Sequence, residues 1–186
     1  MATSKSPSAL LREMVAGPDP VMLPSVYDGI TARIAEAAGA PAVEVSGSGA
    51  AAATAGLPDV GLVTMSEMLD NARGIIEAVD VPVVADLDDG GGTPLTVHRT
   101  FKNAERMGLA GGHLDDIATG IKFFTGYPRK IVSLEEGVDR VKAAVEARDG
   151  DDGIMIFSRT YATDHSEGID RVCAYAEAGA DVLFLV

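Results

Sequence analysis

Short apolar runs alternate with amphipathic stretches along the chain. Residues 21–25, 42–46, 81–86, 109–114, 154–159 and 181–186 have the length and apolar, β-branched content of buried strands. Between them, apolar positions recur at helical spacing. Leu10, Leu11 and Met14 share one face of residues 6–16, and Met65, Met68, Leu69, Ile75 and Ile76 form a stripe along residues 66–79. The helix signals agree with this pattern. Ser6 before Pro7, Asp28 and Pro94 mark helix starts, and Ser133 with Glu136 reads as a capping box opening a helix to about residue 148. Gly39, Gly108 and Gly179 stop three helices that close on related Ala-Glu sequences, at intervals of about 70 residues, or two βα units each. A further helix is expected over residues 166–178, and residues 47–61 and 117–132 read as loops. Six strands alternating with helices imply parallel pairing through crossover helices.

Composition narrows the class. With 186 residues, 47% of them hydrophobic, one domain over residues 1–186 is expected. No apolar run reaches membrane-span length, and residues 1–17 hold none long enough for a secretory signal. A net charge of −13 argues against nucleic acid and anionic membrane as partners. An anionic substrate would therefore need a metal or a focused basic group. The single cysteine, Cys173, sits in a helical pattern among alanines and is expected to pack in the core. It allows no disulfide within the chain, which fits a cytoplasmic location.

The chemistry concentrates where the central run ends, in Asp86-Leu87-Asp88-Asp89-Gly90-Gly91-Gly92. Carboxylates this dense repel one another unless a cation sits among them, and their oxygens suit Mg²⁺, or Mn²⁺ in its place. The plain alternative is a solvated acidic turn. An EF-hand is excluded, because the positions that need ligands hold Gly90 and Val97. Ser46, Asp86, Asp88, His113, Asp115 and Arg159 all fall at or just beyond the C-terminal ends of strands. That is the chemical face of a (β/α)8 barrel and also of a doubly wound sheet, and the strand count does not separate the two. The segment from Gly47 to Ala52 matches G-x-G-x-x-A, but Gly56, Pro58 and Gly61 break any following helix after about two turns, which disfavours a dinucleotide site.

Several short motifs, in order, resemble the isocitrate lyase and phosphoenolpyruvate mutase superfamily, most closely its short members of the methylisocitrate lyase kind. They are Pro24-Ser25-Val26-Tyr27-Asp28, Ser46-Gly47-Ser48-Gly49, Gly56-Leu57-Pro58-Asp59, the Asp86 to Gly92 segment, His113-Leu114-Asp115-Asp116 and Arg159-Thr160. The resemblance implies a TIM-barrel fold and a Mg²⁺-dependent lyase acting on a small 2-oxo or 2-hydroxy carboxylate. It implies Asp86 as the direct metal ligand, with Asp59, Asp88 and Asp115 on the metal's waters. It also implies that Arg159 and the backbone of Ser46, Gly47 and Ser48 hold substrate carboxylates. Asp59 and Lys122 stand with Arg159 as candidate catalytic groups. Considered alone, Arg159 could instead pair with a neighbouring acid, and His113 could be an ordinary core histidine.

The departures from the family bear on activity. Where its lyases carry Lys-(Lys/Arg)-Cys-Gly-His, this chain has Ile121-Lys122-Phe123-Phe124-Thr125, so the proton-donating cysteine is absent. Asp115 replaces a glutamate, Gly91 an aromatic residue, Glu44 a tyrosine and Tyr161 an aspartate. A complete barrel takes about 250 residues, so an incomplete one with about six of eight strands is expected, from a partial polypeptide or one that needs another chain. A homo-oligomer is expected of the full-length form. The rival reading is a relic of the superfamily that only binds metal or serves as a subunit.

Overall fold

The computed structural model describes residues 5–118 and 130–186. In chain order the elements are α1 (Pro7–Ala16), β1 (Ser25–Val26), α2 (Gly29–Ala37), β2 (Val43–Val45), α3 (Gly47–Ala55), α4 (Met65–Ile76), β3 (Val83–Asp86), α5 (Pro94–Met107), β4 (Gly111–Asp115), α6 (Leu134–Ala147), β5 (Met155–Thr160), α7 (His165–Glu177) and β6 (Val182–Leu185). Among the described residues all five strand pairings are parallel, and the sheet order is β1-β2-β3-β4-β5-β6. A doubly wound sheet reverses its strand order at a switch point. This sheet does not, so it is barrel-type wall, six strands wide and not closed.

Its curl is visible in the side chains. Neighbouring strands lie about 4.8 Å apart, so residues two strands apart start about 10 Å apart, and inward curl brings their side chains together. Glu44 on β2 comes within 3.2 Å of His113 on β4, and the His113 ring lies 5.1 Å from that of Phe184 on β6. Alternate strands supplying one interior layer is the packing rule of a (β/α)8 barrel.

The strand alternation divides the core in two. Val83 and Ala85 face outward into the main cluster with Ile75, Phe101, Ala104 and Ala144 from the helices. Val84 faces inward and packs with Phe157, Met155, Ala42, Ala110 and Leu11. Ala42 and Ala110 precede their strands, so Leu11 of α1 plugs the interior at the end opposite the acidic residues. Among the described residues, no helix is long and apolar enough to cross a membrane.

Four local expectations are corrected. Only Ser25 and Val26 pair as strand in the first run. Residues 47–61 are not all loop: Gly47–Ala55 is helical, with Ser46 as its N-cap and Gly56 closing it at φ 63°. The alanines at 50–53 favour helix strongly enough to carry the two glycines. The capping box at Ser133 is half formed, because Glu136 turns to Arg140 while its amide bonds Ser133 Oγ. Cys173 is exposed. The buried face of α7 instead holds Gly168, Arg171 and Tyr175, a polar stripe that hydrophobic periodicity does not mark.

Candidate metal and carboxylate site

Three successive strands deliver the site. Asp86 ends β3, Asp115 ends β4 and pairs in register with Arg159 on β5, and Asp88 sits in the turn after β3. That turn is tied down from both sides. The amide of Asp88 donates to Asp86 Oδ1 at 3.0 Å, and the amide of Asp115 donates to the Asp88 carbonyl at 2.7 Å. Asp88 adopts φ 48°, a conformation that aspartate tolerates better than most residues. Gly90 follows at φ 66°, where a Cβ would stand 2.7 Å from a Val97 methyl, so the turn demands glycine there on two counts. Asp89 Oδ1 accepts from the Gly91 amide at 2.9 Å, and the cap of α5 is Thr93.

Oxygens of Asp86, Asp88 and Asp115 lie within 4.8 Å of one another, and Asp86 and Asp115 are buried. An all-oxygen donor set this close can hold one hard cation directly or through its waters. Arg159 reaches into the same group. Its Nε donates to Asp115 Oδ1 at 2.6 Å, and its Nη2 donates to Asp115 Oδ2 at 3.0 Å and to the two Asp86 oxygens at 3.1 and 3.0 Å. Burial alone would lower the Arg159 pKa, but the hydrogen bond to Asp115 and the charges of Asp86 and Asp115 hold it above its ordinary value. The ion pair with neighbouring acids is therefore realised. The Arg159 guanidinium also lies 5.6 Å from the Tyr161 ring centroid.

The start of α3 closes another side. A Cβ on Gly47 would stand 2.8 Å from Asp86 Oδ2, so only glycine lets the helix start approach that carboxylate. Ser46 Oγ accepts from the Gly49 amide at 3.1 Å and lies 3.2 Å from Ser48 Oγ. The positive end of the α3 dipole is thus beside Asp86. Asp59 is not among the three converging carboxylates. It lines a small cavity of about 10 Å³ with Asp88, Gly47 and Met68. Lys122 and the 121–125 segment lie outside the described residues.

His113 is buried beneath this group, two residues before Asp115, between Phe157 and Phe184. Its Nε2 is near Glu44, yet the alignment leaves both ring nitrogens without a hydrogen bond among the described residues. It is a core histidine, but not a satisfied one.

The polar cluster behind the site was missed from sequence. Asp116 accepts from Thr160 Oγ1 at 2.5 Å, the Tyr161 amide at 3.0 Å, Tyr175 Oη at 3.1 Å and Arg171 at 3.3 Å. Burial, with the Asp116 charge, pushes the Tyr175 phenol up from its ordinary pKa, so it stays a donor. Arg171 also donates to the Val132 carbonyl and Arg140 to the Ile117 carbonyl, both at 2.9 Å, next to the antiparallel bridge between Ile117 and Ile131. The available signal was Asp116 itself, an acid directly after Asp115 at the end of a buried strand.

Residues 11–186 match the family model described as phosphoenolpyruvate phosphomutase. The chain is 40% identical to 2,3-dimethylmalate lyase of Eubacterium barkeri over 181 residues, covering 96% of this chain and 62% of that protein. It is 38% identical to an oxaloacetate decarboxylase of Rhodopseudomonas palustris over 177 residues, covering 94% and 61%. The structure of oxaloacetate acetylhydrolase with the inhibitor 3,3-difluorooxalacetate superposes with a TM-score of 0.90 at 32% identity, covering 97% of this chain and 63% of that one. Phosphonopyruvate hydrolase in complex with oxalate and Mg²⁺ superposes with a TM-score of 0.88 at 26% identity, with coverage of 97% and 63%. The chain spans about three fifths of the length of the curated relatives it matches.

Proposed function

The chain belongs to the phosphoenolpyruvate mutase/isocitrate lyase superfamily, and on that premise we propose that it is a carbon–carbon lyase for small carboxylates, dependent on Mg²⁺ and suited to oxaloacetate-like 2-oxo acids. The observation that carries this reading is the meeting of Asp86, Asp88, Asp115 and Arg159 at the strand ends. Asp86 would hold the ion directly, with Asp88, Asp115 and Asp59 on its waters. When bound, the ion supplies Lewis-acid stabilisation of the charge that develops on the 2-oxo acid.

The remaining work falls to the chain's own residues. Arg159 offers a planar fork for a carboxylate. The Ser46, Gly47 and Ser48 backbone, at a helix start, suits a second anionic group. In a decarboxylation the bond to the departing carboxylate breaks, its electron pair passes to the 2-oxo group, and CO₂ leaves. Water can then protonate the enolate carbon. Cleavage of isocitrate or methylisocitrate instead leaves a succinate-type carbanion that needs a positioned acid, worth about 10²–10⁴-fold. Phe123 stands where the family's lyases have their cysteine and cannot donate a proton. Lys122 is the basic residue within that stretch. The relatives acting on oxaloacetate support the same preference. A homo-oligomer and a cytoplasmic setting complete the proposal.

The test is product analysis with Mg²⁺ present. Pyruvate release from oxaloacetate should exceed glyoxylate release from isocitrate or methylisocitrate by at least the factor of about 10² that a missing acid costs. Glyoxylate release at the faster rate would overturn the argument from Phe123.

A further inference from the structure

Arg159 spends its donors on carboxylates that the proposed metal also needs. Four contacts of 2.6 to 3.1 Å join its Nε and Nη2 to all four oxygens of Asp86 and Asp115. Both acids are buried, and the Arg159 side chain is itself only 15% exposed. In such a site solvent screens like charges poorly. A divalent ion drawn to the same oxygens would stand beside a guanidinium that keeps its charge at any working pH.

We propose that Arg159 and a divalent cation compete for Asp86 and Asp115, so that binding of the cation and release of Arg159 toward an anionic substrate are one coupled step. The inference rests on the metal-site reading above and adds its regulation. By linkage, the factor by which Arg159 weakens the cation equals the factor by which the cation loosens Arg159. A substrate carboxylate arriving between them is attracted to both charges and relieves their repulsion. The coupling therefore makes cation and carboxylate each favour the other's binding, and it disfavours a loaded cation with no anion beside it. The geometry fits a hand-over, because the guanidinium that forks two carboxylates of the protein is equally matched to one from a ligand.

Mn²⁺ titration of the chain, R159Q and R159K, followed by water proton relaxation, reads the coupling without any assay of turnover. R159Q should bind Mn²⁺ about tenfold more tightly, within the range of about 5–150-fold usual for coupled sites. R159K should fall between, since an ammonium cannot fork two carboxylates. Because R159Q leaves two buried acids without their partner and could misfold, the second readout uses the unaltered chain. Its Arg159 Nε–H resonance, assigned by its loss in R159K, should shift as Mg²⁺ saturates. Mn²⁺ binding by the unaltered chain with no gain in R159Q, or an Nε–H resonance that stays fixed at saturating Mg²⁺, overturns the competition and leaves the metal site standing. No Mn²⁺ binding by any of the three overturns both.

Discussion

Asp86→Ala should abolish divalent-cation binding and, with it, metal-dependent turnover. Asp86 is held from three sides: Arg159 bonds both its oxygens, the Asp88 amide bonds one of them, and the α3 start abuts the other at Gly47. Loss of an outer-sphere partner typically costs about 10–100-fold in metal affinity, so loss of the proposed direct ligand should exceed about 100-fold. Lewis-acid stabilisation is worth several kcal/mol, and 1.36 kcal/mol is tenfold in rate, so turnover should fall by about 10³-fold. Mn²⁺ relaxation and oxaloacetate consumption measure the two effects. Equal Mn²⁺ affinity in Asp86→Ala and the unaltered chain would remove Asp86 from the metal.

Asp116→Ala should be the most destabilising change near the site. Arg171 and Asp116 are both buried, and Asp116 also satisfies Tyr175, Thr160 and the Tyr161 amide. Removing one partner of a buried pair costs about 3–5 kcal/mol, because the other charge stays buried. For a chain of this size that is a fall of about 6–20 °C in Tm. Glu167→Ala is the comparison. Its carboxylate also pairs with Arg171, at 2.8 Å, but is 48% exposed, so it should cost under about 1 kcal/mol. Calorimetry of both variants decides it, and similar losses in the two would mean that Asp116 is not the centre of the cluster.

Much of the scaffold was readable from sequence, because its signals are local. Thr93, Pro94 and Gly108 bracket α5 at the bounds expected from Pro94 and Gly108, and Asp28 caps α2 with Thr31 completing the box. The acids and Arg159 were readable because each ends an apolar run, and parallel pairing then brings neighbouring run ends together. The parts that escaped depend on tertiary contact. Gly47 and Gly49 suggested loop, whereas they permit close approach to Asp86 and to Tyr27 Cβ inside a helix. Arg140, Arg171 and Tyr175 lie on buried helix faces where periodicity looks for apolar residues, and Asp116 explains the α7 pair only once the strands are assembled. Cys173 failed for the same reason: with Arg171 and Tyr175 turned inward, its position turns outward.

Whether the converging acids are a metal centre is tested most directly by the anomalous difference map of crystals grown with Mn²⁺. The expected result is one peak about 2 Å from an Asp86 oxygen, facing Asp88 and Asp115, with Arg159 no longer bridging Asp86 and Asp115. A map with saturating Mn²⁺ but no peak at Asp86, and Arg159 still forked between the two carboxylates, would contradict it.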